Sequence, residues 1–185
     1  MNPFLRFLFL VFAFAHSLQA VEPLISSLLP RGGMRDSVQE VIIRGQRLDK
    51  AAEFFFYSEG IEVSKIVEEK STALKATFSI SEKAAFGQHK LRIRTNEGLS
   101  NLYTFWVGPF PNVQEKEPNS GFDEAQPIAL NSTVNGLIVN EDVDYFEVNA
   151  TKGQRISVEI EAIRLSGPLF DPYVALLDDK RFELA

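Results

Sequence analysis

From Val41 to Val107 the chain alternates apolar and polar residues with period two, and glycines interrupt the alternation. Successive side chains of a β-strand point to opposite faces, so such a segment buries one face and wets the other. Val41 and Ile43 share a face of VQEVIIRG. ALKATFSI sets Leu74, Ala76, Phe78 and Ile80 against Lys75, Thr77 and Ser79. HKLRIRT puts Leu91 and Ile93 inside and Lys90, Arg92 and Arg94 in solvent, while LYTFWVG aligns Tyr103, Phe105 and Val107. AAEFFFYSEG is a continuous aromatic run, expected to be buried on both faces. Gly45, Gly60, Gly87 and Gly98 separate these segments. About seven strands in roughly 90 residues is the cadence of an immunoglobulin-like sandwich.

Composition agrees with an all-β reading. The chain has 185 residues, 45% hydrophobic and 24% charged, with sixteen phenylalanines. That suits one or two globular domains biased towards strands. Cysteine is absent, so disulfides and thiolate metal sites are excluded. At the N-terminus, Arg6 precedes an apolar run from Phe7 to Ala15, followed by small and polar residues up to Ala20. This is the layout of a secretory signal peptide over residues 1–20, with cleavage expected after Ala20. The run is shorter than the ~20 apolar residues of a spanning helix. The expected location is therefore secreted, periplasmic or cell-surface, with no membrane span after leader removal.

After VGPFPNV the pattern changes. Pro109 and Pro111 flank Phe110, and proline lacks an amide donor and restricts the residue before it, so a stiff connector is expected. Alternation resumes in PIAL, STVNGLIV and DYFEVNA. QRISVEIEAI aligns Ile156, Val158, Ile160 and Ala162 against Arg155, Ser157, Glu159 and Glu161, and PYVALLDD reads as a further strand. Charge is uneven too. The net charge is −6, yet residues 115–149 hold eight acids against Lys116 alone. Such a field repels nucleic acid and anionic lipid and attracts cations or basic partners.

Two resemblances divide the chain. PLISSLLPRGG, followed by VIIRGQRL and closed by RTNEGLSNLYTFWV, resembles the IPT/TIG class of immunoglobulin-like domains over residues 22–110. Asp36 stands where such domains often carry glycine. The series Glu117-Pro118-Asn119, Asn135-Gly136, Asp142-Val143-Asp144-Tyr145-Phe146 and Lys152-Gly153-Gln154 resembles the bacterial pre-peptidase C-terminal domain, a β-sandwich, over residues 111–185. The resemblance implies a second sandwich that is incomplete at Ala185. The expected architecture is thus two consecutive β-sandwich domains behind a leader.

The acids offer the clearest site. In extended chain Glu115, Glu117 and Asn119 project to one side, ~6–7 Å per two residues, and Pro118 favours extended geometry at Glu117. A second acidic group, Glu141, Asp142 and Asp144, lies at the entry to DYFEVNA. Carboxylates with an amide oxygen and no nitrogen or sulfur suit calcium. The family resemblance implies the same ligands: Glu115, Glu117 and Asn119 from an E-x-E-x-N segment, with Asp142 and Asp144 from the acidic loop. The plain alternative is a solvated linker in which Glu117-Pro118-Asn119 only shapes a turn.

Catalysis has no sequence support. Beyond the leader His89 is the sole histidine, set in an alternating strand as a structural residue would be, and no zinc-protease, nucleophile-elbow or phosphate-loop pattern occurs. Trp106 falls on the outer face of its strand, expected to pack under the Pro109-Phe110-Pro111 connector. Lys90, Arg92 and Arg94 read as a solvated basic row. The expectation is an exported, non-catalytic binding or spacer protein whose partner is an extracellular polymer or protein. The second reading is the N-terminal accessory region of a secreted hydrolase, a peptidase by resemblance.

Overall fold

The computed structural model describes residues 21–51, 53–139, 142–167 and 171–185. The expected leader and Glu141 lie outside them. The chain is all-β. Nine strands precede the connector: β1 (Leu24–Leu29), β2 (Gly32–Met34), β3 (Ser37–Gln46), β4 (Glu53–Phe56), β5 (Ile61–Lys70), β6 (Ala73–Ile80), β7 (Gly87–Thr95), β8 (Gly98–Leu99) and β9 (Tyr103–Gly108). One sheet has the order β1-β3-β6-β5, antiparallel throughout. The other has the order β2-β9-β7-β4, with β8 added to β7.

The period-two residues meet between these sheets. Val41 and Ile43 of β3, Leu74, Ala76, Phe78 and Ile80 of β6, Leu91 and Ile93 of β7, and Tyr103, Phe105 and Val107 of β9 share one buried cluster. Phe78 lies at its centre, edge-on to Phe54, Phe56 and Phe105 at centroid separations of 6.2, 5.3 and 5.3 Å. Such pairs add to the area-dependent burial energy of the rings. The aromatic run is not enclosed on both faces as expected. Phe54, Phe55 and Phe56 are each half-buried: Phe54 and Phe56 pack inward against the core from a strand at the edge of its sheet, and Phe55 points to the opposite face. Asp36 takes the left-handed conformation, φ 58°, in the turn from β2 to β3, which a short polar side chain tolerates where glycine was expected.

β5 has no clean alternation, and its pairing explains why. Its register with β6 slips between Val63 and Lys65 and again between Ile66 and Glu68. Each bulge inserts an unpaired residue and twists the strand, which also blunts an open sheet edge.

Beyond Gly108 the ladders are short. β10 (Asn112–Gln114) pairs in parallel with β12 (Thr133–Asn135), and β11 (Gln126–Pro127) with β13 (Phe146–Glu147). Two 3₁₀ turns, η1 (Phe122–Glu124) and η2 (Ile163–Leu165), complete the described elements. QRISVEIEAI forms no ladder, and Val158 and Ile160 stay exposed. Alternation names the face that would turn inward; a strand also needs a neighbour to pair with, and this segment has none among the described residues. PYVALLDD contributes only the bridge Leu177–Glu183.

Several contacts bring the second region onto the sandwich, including Asn112 Nδ2 on the Gly32 carbonyl at 2.7 Å. Arg31 receives the Trp106 amide on its backbone carbonyl, donates its own amide to Asn135 Oδ1, and reaches the Leu165 carbonyl with its guanidinium. Trp106 is on the outer face as expected, and η2 lies beside it. The Arg164 guanidinium lies 5.8 Å from the Trp106 ring centre, and Ser166 hydrogen-bonds Thr104 across 2.9 Å. η2 therefore packs over β9.

Candidate metal centre

β10 ends at Gln114, so Glu115 to Asn119 are not a straight continuation of the strand. Their side chains converge through hydrogen bonds instead. The Glu115 amide donates to the Asn135 carbonyl, and Glu115 Oε2 accepts from the Leu137 amide at 2.7 Å. Glu115 Oε1 accepts from Asn119 Nδ2 at 3.1 Å, and Glu117 Oε2 accepts from the Asn119 amide at 3.0 Å. Gly136 leaves room for this carboxylate: a Cβ there would stand 3.1 Å from Glu115 Oε2.

The acidic loop is placed by β11 and β13. The Gln126 amide donates to the Tyr145 carbonyl, and the Tyr145 amide to the Asn119 carbonyl, each at 2.9 Å. Those bonds deliver Asp144 to the connector. Glu115, Glu117 and Asp144 each offer an oxygen, and the three lie within 4.8 Å of one another. Asn119 is fully buried beside them, and its Oδ1 has no hydrogen-bond partner; neither has the buried Asp144 Oδ1. Leaving buried acceptors unpaired costs free energy unless something else meets them.

Electrostatics point the same way. The Asp144 carboxyl is pushed up to about 6, by burial first, then by the neighbouring charges of Glu115, Asp142 and Glu117. Crowded carboxylates resist full ionisation until a cation neutralises them. Asp142 stands outside the close trio. Its Oδ2 caps the Val139 amide at 3.0 Å, and it lines a hollow of about 510 Å³ with Glu115, Glu117 and Ser120. Four of the five residues expected to form a site are thus in direct association, with the fifth on its rim.

Two positioning residues escaped the sequence reading. Gln126 is buried and clamps the connector, its Oε1 accepting from the Lys116 amide at 2.7 Å and its Nε2 donating to the Gln114 carbonyl at 3.1 Å. Asn135 ties the same segment to Arg31. A glutamine before a proline carries no sequence signal for such a role; the Asn135-Gly136 pair was visible only as a motif. His89 is buried with both ring nitrogens satisfied. The Ala85 carbonyl can only accept, so Nε2 donates to it at 2.7 Å, and Nδ1 accepts from the Ser58 hydroxyl at 2.7 Å.

Fold and site together describe an all-β sandwich protein with a carboxylate–amide hollow where its second region begins. No protein-family model matches the chain, and no curated protein matches it in sequence. Among solved structures it is similar to the gamma-CGTase of alkalophilic Bacillus clarkii, with a TM-score of 0.35 and 16% identity, over 52% of this chain and 15% of that one. It is also similar to SGBP-B of the Bacteroides ovatus mixed-linkage glucan utilization locus, solved in complex with a mixed-linkage heptasaccharide. That TM-score is 0.37 at 11% identity, over 58% of this chain and 25% of that one. Likeness of this degree carries neither ligand nor activity to this chain. Among the described residues, no helix is long and apolar enough to cross a membrane.

Proposed function

We propose that the chain is an exported, non-catalytic binding or spacer protein, an IPT/TIG-like sandwich followed by a pre-peptidase C-terminal-like module that calcium stabilises. One observation carries the metal reading: three carboxylates lie within 4.8 Å of one another beside a fully buried asparagine whose Oδ1 has no partner. Glu115, Glu117, Asp144 and the Asn119 carbonyl oxygen would hold the ion, with Asp142 at the rim. An all-oxygen donor set suits a hard cation, and calcium takes 6–8 such ligands. Calcium would supply the charge that lets these carboxylates ionise together, and binding only the folded state would stabilise it.

Titration calorimetry with calcium on the metal-free protein tests the site. Saturable heat at or below millimolar calcium is expected, accompanied by a rise in melting temperature. Glu117→Gln should weaken both responses, and Glu53→Gln, on the sandwich, should change neither. Absence of heat and of any melting shift leaves Glu117-Pro118-Asn119 as a turn. Export has its own check: exported protein should begin at Val21, and cytoplasmic retention with Met1 intact would refute it.

A further inference from the structure

The outward face of the β2-β9-β7-β4 sheet supports a function separate from the metal centre. On β7, Lys90, Arg92 and Arg94 point outward at alternate positions, as the buried Leu91 and Ile93 between them require. Alternate residues of a strand repeat every ~6.6–6.8 Å, so the three positions span about 13 Å; Arg92 is half-buried and donates from NH1 to the Ser100 carbonyl at 2.9 Å, which leaves Lys90 and Arg94 as the exposed cations at the two ends. Phe55 pairs with Arg92 and Glu53 with Arg94 in the β4–β7 register. On the far side η2 covers β9, through Arg164 on Trp106 and Ser166 on Thr104. Lys90 and Arg94 remain exposed. In a chain with a net charge of −6, this is a local excess of positive charge.

We propose that this face docks an extended acidic polypeptide segment whose carboxylates occur at alternate positions. Four features favour that partner. An extended peptide repeats with the same two-residue spacing as β7, so its carboxylates fall in register with the row. Glu53 already places a carboxylate on Arg94, with 2.6 Å between Glu53 Oε2 and Arg94 NH2, showing the kind of contact the row makes. This pair is exposed and worth little net energy, so a partner carboxylate can replace it. The same face also already carries polypeptide, since η2 and its flanking residues lie on β9 and hydrogen-bond to it. Phe55, half-buried beside Arg92, offers apolar contact to the residues between the acids.

The test is fluorescence anisotropy with the full chain, free of calcium, and two labelled peptides of identical composition. One alternates glutamate with valine; the other places its glutamates in a block. The alternating peptide should bind severalfold more tightly, and binding should weaken as salt screens the exposed charges. Lys90→Gln and Arg94→Gln should each weaken it about two- to fivefold, the range of one exposed ion pair. Glu53→Gln should strengthen it by freeing Arg94. Glu117→Gln should leave it unchanged, which separates this face from the metal centre. Equal binding of the two peptides, no binding, or tighter binding of a sulfated or uronate glycan through the same residues would each overturn the proposal. Lys90 is exposed and has no ion-pair partner among the described residues, so Lys90→Gln reports on docking without a folding defect.

Discussion

The backbone amide of Arg31 donates to Oδ1 of Asn135 across 3.1 Å, joining positions 104 residues apart. The Asn135 carbonyl also accepts the Glu115 amide. One asparagine therefore connects the sandwich to the first residue of the candidate metal centre. Arg31 in turn holds the end of η2 through the Leu165 carbonyl. The joint is made of directional polar bonds, so it defines an angle between the two regions better than apolar packing would.

Asn135→Ala removes the only acceptor that this contact offers the Arg31 amide. A part-buried donor left unpaired costs about 1–3 kcal/mol. Amide hydrogen exchange should show faster exchange at Arg31, while the Glu115 amide, bonded to a backbone carbonyl, should be little changed. Unaltered exchange at Arg31 would show that the joint is not held this way.

The Asp144 carboxyl gives a pH signature with a defined sign. Its pKa is raised from 3.8 to about 6 in the folded chain, so the folded state holds this proton more tightly than the unfolded state does. In metal-free protein its contribution to stability is most favourable at or below about pH 4. It declines as pH rises from about 4 to about 6, then levels off. Asp144→Asn should remove that decline, read as the difference between the two melting curves across the pH series. Saturating calcium should also suppress it, because a bound cation favours the ionised form. A wild-type profile that parallels Asp144→Asn throughout would refute the crowding.

Gly136→Ala tests the room left for Glu115. The new Cβ would lie 3.1 Å from Glu115 Oε2, so the carboxylate must move although the backbone there tolerates alanine. Calcium affinity should fall about tenfold, as for other changes that disturb the orientation of a metal ligand. The melting temperature of the metal-free protein should change little. Calorimetry on the variant checks both.

Truncating the centre of the sandwich should be far more damaging than altering an equally apolar residue in the second region. Phe78→Ala removes a fully buried ring with three aromatic neighbours, at a cost of about 3–5 kcal/mol. That is a large part of the 5–15 kcal/mol total typical of a domain. Val158→Ser, at a side chain 60% exposed, should cost less than about 0.5 kcal/mol. Denaturant unfolding of the two variants measures the contrast, and equal losses would place Val158 in a core.

Sequence by itself determined the inward face of β3, β6, β7 and β9, because strand geometry permits only two faces and each apolar set fills one. It also determined the donor atoms of the candidate metal centre, since Glu115, Glu117, Asp142 and Asp144 offer carboxylate oxygen and Asn119 an amide oxygen. Tertiary structure decided the rest. β5 escaped detection because its two bulges break the period on which such reading depends. QRISVEIEAI alternates as well as any strand of the sandwich yet pairs with nothing described, since alternation expresses the preference of one segment and a ladder is a property of two. Asp144 reached Glu115 through bonds from Gln126 to Tyr145 and from Tyr145 to Asn119, between backbone groups that every residue carries. Side-chain identity fixes what a group can do, but which groups meet depends on backbone pairing over long sequence separations, and no local pattern encodes that.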